Sequence, residues 1–528
     1  MQNDMNVDNY VKSFYEKIDP KTKAVIFSTL IFGILAHGMM LFNKYSFFDD
    51  ITSIFHVGWT YGLGRWFLHF LGKCSQVFFH SPHYSLPLIK GLTSILFIAI
   101  SSVLVIKILR IKYITTSVLI SAMMIVFPSW ASTFGYMFTA PYYAFALLLS
   151  SLGVFILCKF LESRIPSCCC AVLCCAVLCC AVLCCSIGIY QAFIPYTLTL
   201  ICFYLIEEIY SDESNRAIFL KGMYFVGIVV CSIVLYFILT KIICSIKGCE
   251  LASHQNVNLM GREGIAVYFE RIFTAFRYFW HPKMRNMLYP MNIVPLYYAS
   301  VGGCTVLLLY KIVIFLKNRE FIRAAMLFCL IVCIPIAINF IMVMCSFKMV
   351  YCLMCCAQVM PFVLLAWIIE KTHFNNVIWN RRIYITGSVI LLLISLVYCR
   401  FDNVYYLKYC FAQSQQVSYY NTMITRIKSS KGYNAKYPIT FVGDSFCDAS
   451  VPIMPEFRCE MAPNVVHPLF YSMGEMMRLW CWYSPTIVES KSFENLPEVK
   501  AMALYPNDGS IKVINKTVVI KINNPQSD

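Results

Sequence analysis

The sequence predicts a polytopic α-helical membrane protein that crosses a bilayer about eleven times and ends in a small water-soluble α/β domain. Only 13% of the 528 residues are charged, whereas 59% are hydrophobic and 16% are aromatic. An ordinary soluble domain carries about 25% charged residues, so this deficit indicates a lipid solvent. Apolar runs of about 20 residues, the length of a spanning helix, also recur along most of the chain.

Eleven apolar runs follow one another with the length that a helix needs to cross a bilayer. The first run is not followed by a small-residue cleavage site, so we interpret it as a retained helix rather than a signal peptide. We place the spans near residues 24–42, 87–107, 113–129, 141–160, 165–185, 191–207, 222–243, 294–316, 324–345, 350–369 and 383–400.

Basic residues concentrate in short connections between alternate spans, and this pattern predicts an orientation. The connections 107–112, 159–164, 317–323 and 370–382 contain Lys and Arg, as does the N-terminus. By the positive-inside rule they face the cytoplasm, whereas the acidic connection 207–221 does not indicate a side. Orientation thus accounts for most of the net charge of +16, and no single basic face indicates nucleic-acid binding.

An odd number of spans then places three large segments on the outer side of the membrane. They are the loops 43–86 and 244–293 and the tail 401–528, so the predicted domains are a membrane body of residues 1–400 and an outer α/β domain. The loop 244–293 is basic, which makes it a candidate anion site. Within it, residues 265–280 have apolar and aromatic side chains at helical spacing, which predicts an amphipathic helix on the membrane surface.

A repeat of Cys-Cys-Ala-Val-Leu fills residues 168–185 and holds nine of the 27 cysteines. A period of five residues rotates successive Cys pairs by about 140° around a helix. The pairs therefore wrap around the helix, which favours a membrane helix of small residues over a metal site. The tail contains Cys410, Cys447, Cys459 and Cys481, and the outer side permits disulfides among them whose pairing the sequence does not reveal.

Hydrophobicity becomes periodic in the tail, which predicts its α/β character. Residues 405–427 suit an amphipathic helix, residues 437–443 a buried strand, and residues 509–522 a hairpin that turns at Asn515-Lys516. The strand leads into Asp444-Ser445, which is similar to the nucleophile turn of a hydrolase. We do not interpret this turn as a nucleophile site, because a flanking helix is not evident and the following His467 stands alone.

Two adjacent carboxylates, Asp49 and Asp50, stand where the first span reaches the outer surface. Like charges repel and the interface desolvates them, so this placement indicates a function. A carboxylate at this depth suits a general base that takes a proton from a hydroxyl group. The alternative is that they cap a following helix at residues 51–57, which would occupy one carboxylate and leave the other.

A cation follows in the motif Gly64-Arg65-Trp66. Arg65 suits the stabilisation of a phosphate that leaves during a displacement. The alternative is an interfacial arginine in an aromatic belt with Trp59 and Trp66.

In this order the motifs resemble those of the serotype-converting O-antigen glucosyltransferases, a family commonly carried by phages of enteric bacteria. The landmarks run from the first outer loop almost to the C-terminus, and the cysteine repeat departs from the family's pattern. They are Ser46-Phe-Phe-Asp49-Asp50, Gly64-Arg65-Trp66, Gly188-Ile-Tyr190-Gln191-Ala192 and Tyr505-Pro-Asn-Asp-Gly509-Ser-Ile-Lys-Val.

The resemblance implies an inverting glycosyltransferase of the GT-C class. Such an enzyme moves glucose from undecaprenyl phosphate glucose to a sugar hydroxyl of the lipid-linked O-antigen, on the periplasmic side of the bacterial inner membrane, and so changes the lipopolysaccharide serotype. The resemblance also implies a companion donor synthase and a flippase. A divalent cation, Mg²⁺ or Mn²⁺, stays open because paired carboxylates bind one, although no second ligand set is visible.

Residue chemistry and resemblance together nominate the site residues. Asp49 or Asp50 would deprotonate the acceptor. The outer-side cations that would stabilise the donor phosphate are Arg65, Arg262, Arg277, Lys283, Arg285 and Lys348. The side chains that would bind sugar are Trp59, Trp66, Tyr190 and Gln191, with Trp280 as a further stacking surface. The alternatives are interfacial anchoring for Lys348 and the tryptophans, and a helix-turn role for Tyr190 and Gln191.

Two other classes of protein compete with a transferase. A transporter or flippase also needs many spans, but it usually shows inverted repeats and charges or broken helices at the midplane, and the sequence indicates neither. A non-enzymatic assembly protein, or an acyl-modifying enzyme with a reactive Ser445, is the other alternative.

Overall fold

The computed structural model describes residues 12–13, 15–46, 49–162, 169–253, 258–259, 263–282, 288, 293–345, 350–372, 374–443 and 470–522. The chain folds as two compact units. The membrane unit consists of Met1–Lys44 and Trp59–Val404, and the tail unit of Tyr45–Gly58 and Tyr405–Asp528. The first outer loop is thus divided between the units, which the sequence did not indicate.

Apolar helices build the membrane unit, and several of them begin at a proline. Proline has no N–H to leave unpaired in a first helical turn, so Pro20, Pro87 and Pro128 each start a helix. The α-helices that the structure describes between Pro20 and residue 443 are α1 (Pro20–Leu41), α2 (Asp49–Thr52), α3 (Trp66–Phe79), α4 (Pro87–Ile108), α5 (Ile114–Val126), α6 (Pro128–Phe134), α7 (Ala140–Glu162), α8 (Cys169–Ile189), α9 (Ile194–Ile209), α10 (Asn215–Lys247), α11 (Ile265–Trp280), α12 (Val294–Lys317), α13 (Phe321–Ile338), α14 (Ile341–Met344), α15 (Met360–Lys371) and α16 (Val377–Ser429).

Eight helices in the described ranges are long and apolar enough to cross a membrane, and α5 with α6 adds a ninth if that pair, bent by 43°, is one span. The helical, polytopic class is thereby supported, but the described residues contain fewer candidate spans than the eleven that the sequence predicts. The predicted run 165–185 begins outside the described residues, and its remainder lies in α8, whose described apolar part is Leu173–Ile189. The run 350–369 is wrong as one helix: two 3-10 turns, Cys352–Met354 and Cys356–Val359, precede the short α15. Hydropathy reports burial, and buried irregular backbone has the same apolar composition as a helix.

A three-stranded sheet forms the centre of the tail unit. Its strands are β1 (Ile439–Val442), β2 (Ile511–Ile514) and β3 (Thr517–Lys521), in the order β1-β3-β2. β3 pairs parallel with β1 and antiparallel with β2. Asn515 and Lys516 join β2 to β3 with φ of 52° and 57°, the left-handed conformation of a two-residue type I′ turn. The predicted hairpin and its turn are confirmed.

Helices cover both faces of this sheet. Side chains alternate between the faces of a strand, so each strand contributes to two cores. The predicted helix 405–427 is part of α16, and among the tail residues that the structure describes three short helices follow: α17 (Phe470–Trp480), α18 (Lys491–Glu494) and α19 (Pro497–Lys500). We call the core on one face the α17 cluster; its members include Tyr420, Met423, Ile424, Ile427, Phe441, Met473, Met476, Met477 and Ile520. The α19 cluster on the other face consists of Val442, Val499, Met502, Ile514 and Val519.

Charged side chains join the connections at one end of the membrane unit, which we call the charged end. Arg110 donates to the Glu162 carboxylate over 2.7 Å and also to Glu208. Lys221 pairs with the same Glu208, whose side chain is fully buried. A carboxylate that is buried with two cations is a strong tie between the helices that carry them.

Two further connections join this network, one through the adjacent Glu207 and one through Ser211. Glu207 accepts hydrogen bonds from Lys371 Nζ at 2.6 Å and from Trp367 Nε1 at 2.7 Å. Arg323 donates to the Ser211 carbonyl over 2.9 Å. The acidic connection is therefore the common partner of basic residues from three of the others, and the connection 159–164 joins through the Glu162–Arg110 pair. All five connections thus lie at one end of the bundle. Their alternation agrees with the prediction, while the side of the membrane stays a prediction.

We expect Glu208→Gln to destabilise the membrane unit by about 3 kcal/mol, because Arg110 and Lys221 lose a buried counter-charge. The matched control is Glu213→Gln. Glu213 also lies near Lys221, at 3.4 Å, but its side chain is 46% exposed, and exposed pairs contribute at most about 1 kcal/mol. Thermal unfolding of the purified variants in detergent measures the difference, and equal melting temperatures would contradict this account of the charged end.

Candidate active site

Tyr190 interrupts the helix pair α8 and α9 at the end of α8 that lies far from the charged end. Its backbone is extended, with φ of −158° and ψ of 116°, and a 3-10 turn at Gln191–Phe193 leads into α9. The Tyr190 side chain is 2% exposed, so the break lies inside the protein. Non-helical backbone is tolerated at a buried position where its polar groups find partners within the protein.

A cation and two aromatic rings are stacked at this break. The Tyr143 and Tyr190 rings are nearly parallel, with centroids 4.4 Å apart and planes inclined by 6°. The central carbon of the Arg65 guanidinium lies 4.6 Å from the Tyr190 ring centroid, and Arg65 Nη1 donates to the Tyr143 hydroxyl over 3.0 Å. Stacking and a directed hydrogen bond together hold the guanidinium in one orientation.

A second set of bonds ties the loop before Arg65 to the same break. Gln191 Nε2 donates to the Leu63 carbonyl over 2.8 Å and to the Tyr236 hydroxyl over 2.7 Å. Gly64 has a left-handed φ of 69°, and a Cβ there would come within 2.3 Å of the Tyr236 hydroxyl oxygen. The position requires glycine for its conformation and for its space.

These contacts bring together two motifs that are distant in the sequence. Trp66 also packs against Gly188, where a Cβ would come within 2.8 Å of the Trp66 ring. We call the set Arg65, Tyr143, Tyr190, Gln191 and Tyr236 the Arg65 cluster. The sequence analysis missed its two other tyrosines, because both lie inside apolar runs where nothing local distinguishes them from lipid-facing residues.

Arg277 and Trp59 are among the predicted site residues that the structure describes but that are not members of this cluster. Arg277 is exposed in the last turn of α11. Trp59 is 60% exposed, and its ring lies so close over Gly62 that a Cβ there would be 2.0 Å away. The predicted cations that lie outside the described residues are Arg262, Lys283, Arg285 and Lys348.

The predicted amphipathic helix at residues 265–280 is present as α11, and a buried arginine that the sequence analysis missed anchors it. Arg271 is 8% exposed and donates from Nη1 and Nη2 to the two Glu263 carboxylate oxygens, over 2.6 and 2.7 Å. Arg271 shares a helix face with the buried Ala275 and Tyr278, four and seven residues later. A charge on the buried face was the signal that could have revealed this pair.

An interrupted helix also holds α11. The predicted span 324–345 stops at Asn339, which caps the end of α13 and is 1% exposed. Its Nδ2 donates to the Ala275 carbonyl over 3.0 Å, and its Oδ1 accepts from Gln358 Nε2 over 2.9 Å. The predicted span 324–345 is therefore wrong as one continuous helix. Single polar residues and prolines interrupt an apolar run without lowering its mean hydropathy, so the sequence conceals such breaks.

An apolar groove lies between α12 and α13, with α15 behind it and the end of α11 beside it. It has an empty volume of about 390 Å³. Its lining residues on α12 and α13 recur three and four positions apart, so each helix contributes one face. They are Val301, Cys304, Thr305 and Leu308 from α12, Ile331, Ile334, Pro335 and Ile338 from α13, Pro361 and Leu364 from α15, and Phe279 and Trp280 from α11.

The adjacent carboxylates lie in the tail unit and have different surroundings. Asp50 is fully buried, and its Oδ2 accepts a hydrogen bond from the Ser46 hydroxyl over 2.6 Å. Asp49 is exposed. Both belong to the four-residue helix α2, which ends at Thr52. The alternative in which they cap a helix at residues 51–57 is therefore wrong, since they form the first turn of a shorter helix.

Among the residues that the structure describes, no group of three or more His, Cys, Asp and Glu side chains is placed to hold a metal ion. The cysteines of the repeat range from the exposed Cys174 to the buried Cys179. In the described part of the tail, Cys410 and Cys481 form no disulfide. The other predicted tail residues, Asp444, Ser445, Cys447, Cys459 and His467, lie outside the described residues.

Comparison with known families gives a match over more than half of the chain. The sequence profile described as Glucosyl transferase GtrII matches residues 38–362. The chain belongs to the GtrII glucosyltransferase family. No curated protein and no solved structure matches it. This GtrII protein is thus an enzyme that transfers a glycosyl group, and the matched region contains both carboxylates and the whole Arg65 cluster.

We expect Gly64→Ala to destabilise this GtrII protein by about 2 kcal/mol or more, because alanine is strained at positive φ and its Cβ meets the Tyr236 hydroxyl. Removing that hydroxyl with Tyr236→Phe in the same chain should recover part of the loss. Gly227→Ala is the control, since a Cβ there has open space. Melting temperatures in detergent test the pair, and a double variant no more stable than Gly64→Ala alone would refute the steric explanation.

Proposed function

We propose that this GtrII-family enzyme transfers glucose from undecaprenyl phosphate glucose to a sugar hydroxyl of the lipid-linked O-antigen. The reaction would occur at the periplasmic face of the bacterial inner membrane and change the lipopolysaccharide serotype. A companion synthase and a flippase would supply the donor. The Arg65 cluster is the observation that supports this most directly, because it holds a guanidinium at one end of a helix bundle, the level at which a lipid phosphate lies.

The proposed displacement needs one base and one group that stabilises the leaving phosphate. The base takes the proton of the acceptor hydroxyl while that oxygen attacks the anomeric carbon of glucose. The bond from this carbon to the phosphate oxygen breaks, and its electron pair leaves with undecaprenyl phosphate. Arg65 would stabilise the added negative charge, and its partial burial strengthens the attraction by lowering the local dielectric constant.

Asp49 is the better candidate for the base. It is exposed, so an acceptor hydroxyl can reach it. Asp50 is fully buried and already accepts the Ser46 hydroxyl. We therefore assign Asp49 as the base and Asp50 as a positioning residue that orients α2. The roles of Arg65 and Asp49 each rest on the geometry of their own unit.

Asp49→Asn should lower kcat by about a thousandfold, because an amide cannot take up the proton. Asp50→Asn should cost about tenfold, since its amide oxygen still accepts from Ser46. The assay uses purified protein in detergent with undecaprenyl phosphate glucose and lipid-linked O-antigen, and it measures glucosylated acceptor and released undecaprenyl phosphate.

Two results of this assay would overturn parts of the proposal. Loss of activity in Asp50→Asn with a fully active Asp49→Asn would reverse the assignment of the base. Failure of the wild-type protein to release undecaprenyl phosphate would reject this donor. In proteoliposomes, movement of the donor across the bilayer without transfer would support the flippase alternative.

The apolar groove offers a place for the hydrocarbon chain of the donor. Both α12 and α13 are long and apolar enough to span the bilayer, so a groove between them is accessible to lipid chains. Trp280 lines the groove, and Arg277 lies one turn before it on the same face of α11. A cation beside an apolar groove complements a single-chain lipid phosphate, and we propose the undecaprenyl chain as its occupant.

Thr305→Trp should fill the groove and raise the KM for undecaprenyl phosphate glucose about tenfold, because the chain loses buried apolar contact. A donor with only two isoprene units should be unaffected. Val306→Trp on the same helix is the control, since Val306 is 65% exposed and does not line the groove. Equal effects on both donors, or an equal effect of the control, would show that the groove does not bind the chain.

A further inference from the structure

The segment that carries the two carboxylates is folded into the core of the tail unit, although most of the membrane unit separates them in the sequence. Ile51 follows Asp50 directly and is 1% exposed. It packs in the α17 cluster, together with Met423 of α16 and Met477 of α17. The residue next to the carboxylates is therefore a core residue of a different part of the chain.

Two further contacts hold the ends of the same segment. At its start, burial and a hydrogen bond with the Cys410 thiol raise the pKa of Tyr45 to about 12. Near its end, the guanidinium carbon of Arg478 lies 5.7 Å from the Phe55 ring centroid. Cys410 belongs to α16 and Arg478 to α17. The segment is thus fixed to the tail at its start, its middle and its end.

We propose that the tail unit is a positioning element of the active site, in which the α17 cluster holds α2 so that Asp49 faces outward and Asp50 inward. This rests on the proposed role of Asp49 as the base. A helix of four residues has no stability of its own, so its orientation depends on what it packs against. A displacement of about 1 Å in a catalytic group costs about a hundredfold in rate.

The family match includes the proposed base but not the helices that hold it. The match ends at residue 362, so it includes α2, whereas α16 and α17, which hold α2, lie beyond it. The matched region alone therefore lacks the support of its base. In this proposal α16 and α17 contribute to turnover without contacting the reacting atoms.

The test compares two equivalent truncations on opposite faces of the tail sheet. Met477 is fully buried in the α17 cluster with Ile51, and Met502 is 4% exposed in the α19 cluster. Both Met→Ala changes should lower the melting temperature. Met477→Ala should also lower kcat about tenfold with the donor KM unchanged, while Met502→Ala keeps kcat within about twofold of wild type. Met477→Leu should restore kcat, because it restores the volume.

The readout is kcat per folded enzyme in the same purified assay, at a temperature where all variants are folded. Equal effects of the two Met→Ala variants on kcat, or none from either, would overturn the positioning role. If Met477→Ala does not fold, Ile51→Val removes one methylene from the same contact and should give a smaller loss of kcat. Asp49→Asn is assayed in parallel, because its full activity would reject the base assignment itself and not merely the role of the tail.

Discussion

Backbone that leaves a helix at a buried position must find its hydrogen-bond partners within the protein, because an unpaired buried polar group is costly. This constraint applies at Tyr190 and at Asn339, and both breaks are buried. The polar side chains at these breaks also connect elements: Gln191 ties down the loop before Arg65, and Asn339 ties down α11. The candidate site therefore depends on interrupted helices, since continuous helices would place few polar groups there.

Cationic side chains have different surroundings at the two ends of the membrane unit. At the charged end, cations from several connections are paired with the buried carboxylates of Glu207 and Glu208, which locks those connections together. At the other end, Arg65 lies against the Tyr190 ring and donates to the Tyr143 hydroxyl. The first arrangement joins connections to one another, and the second orients a single guanidinium.

Asp49 and Asp50 show how one short motif acquires two environments. Adjacent residues in a helical turn point about 100° apart, so packing α2 on the tail core buries one carboxylate and exposes the other. The sequence could nominate both residues, but it could not separate them. The direction in which α2 packs is set by Ile51 and its partners in the α17 cluster, which come from the other end of the chain.

The sequence by itself determined the properties that are local: the apolar runs, the alternation of basic connections, the helix at residues 265–280 and the hairpin turn at Asn515-Lys516. Each follows from a period or a turn preference within a few neighbouring residues. The tertiary structure decided where helices break, that Arg65 meets Tyr190, and that the carboxylates belong to the tail. Those contacts join residues far apart in the chain, and hydropathy is the same for a continuous span and for buried irregular backbone. Local composition therefore does not predict these contacts.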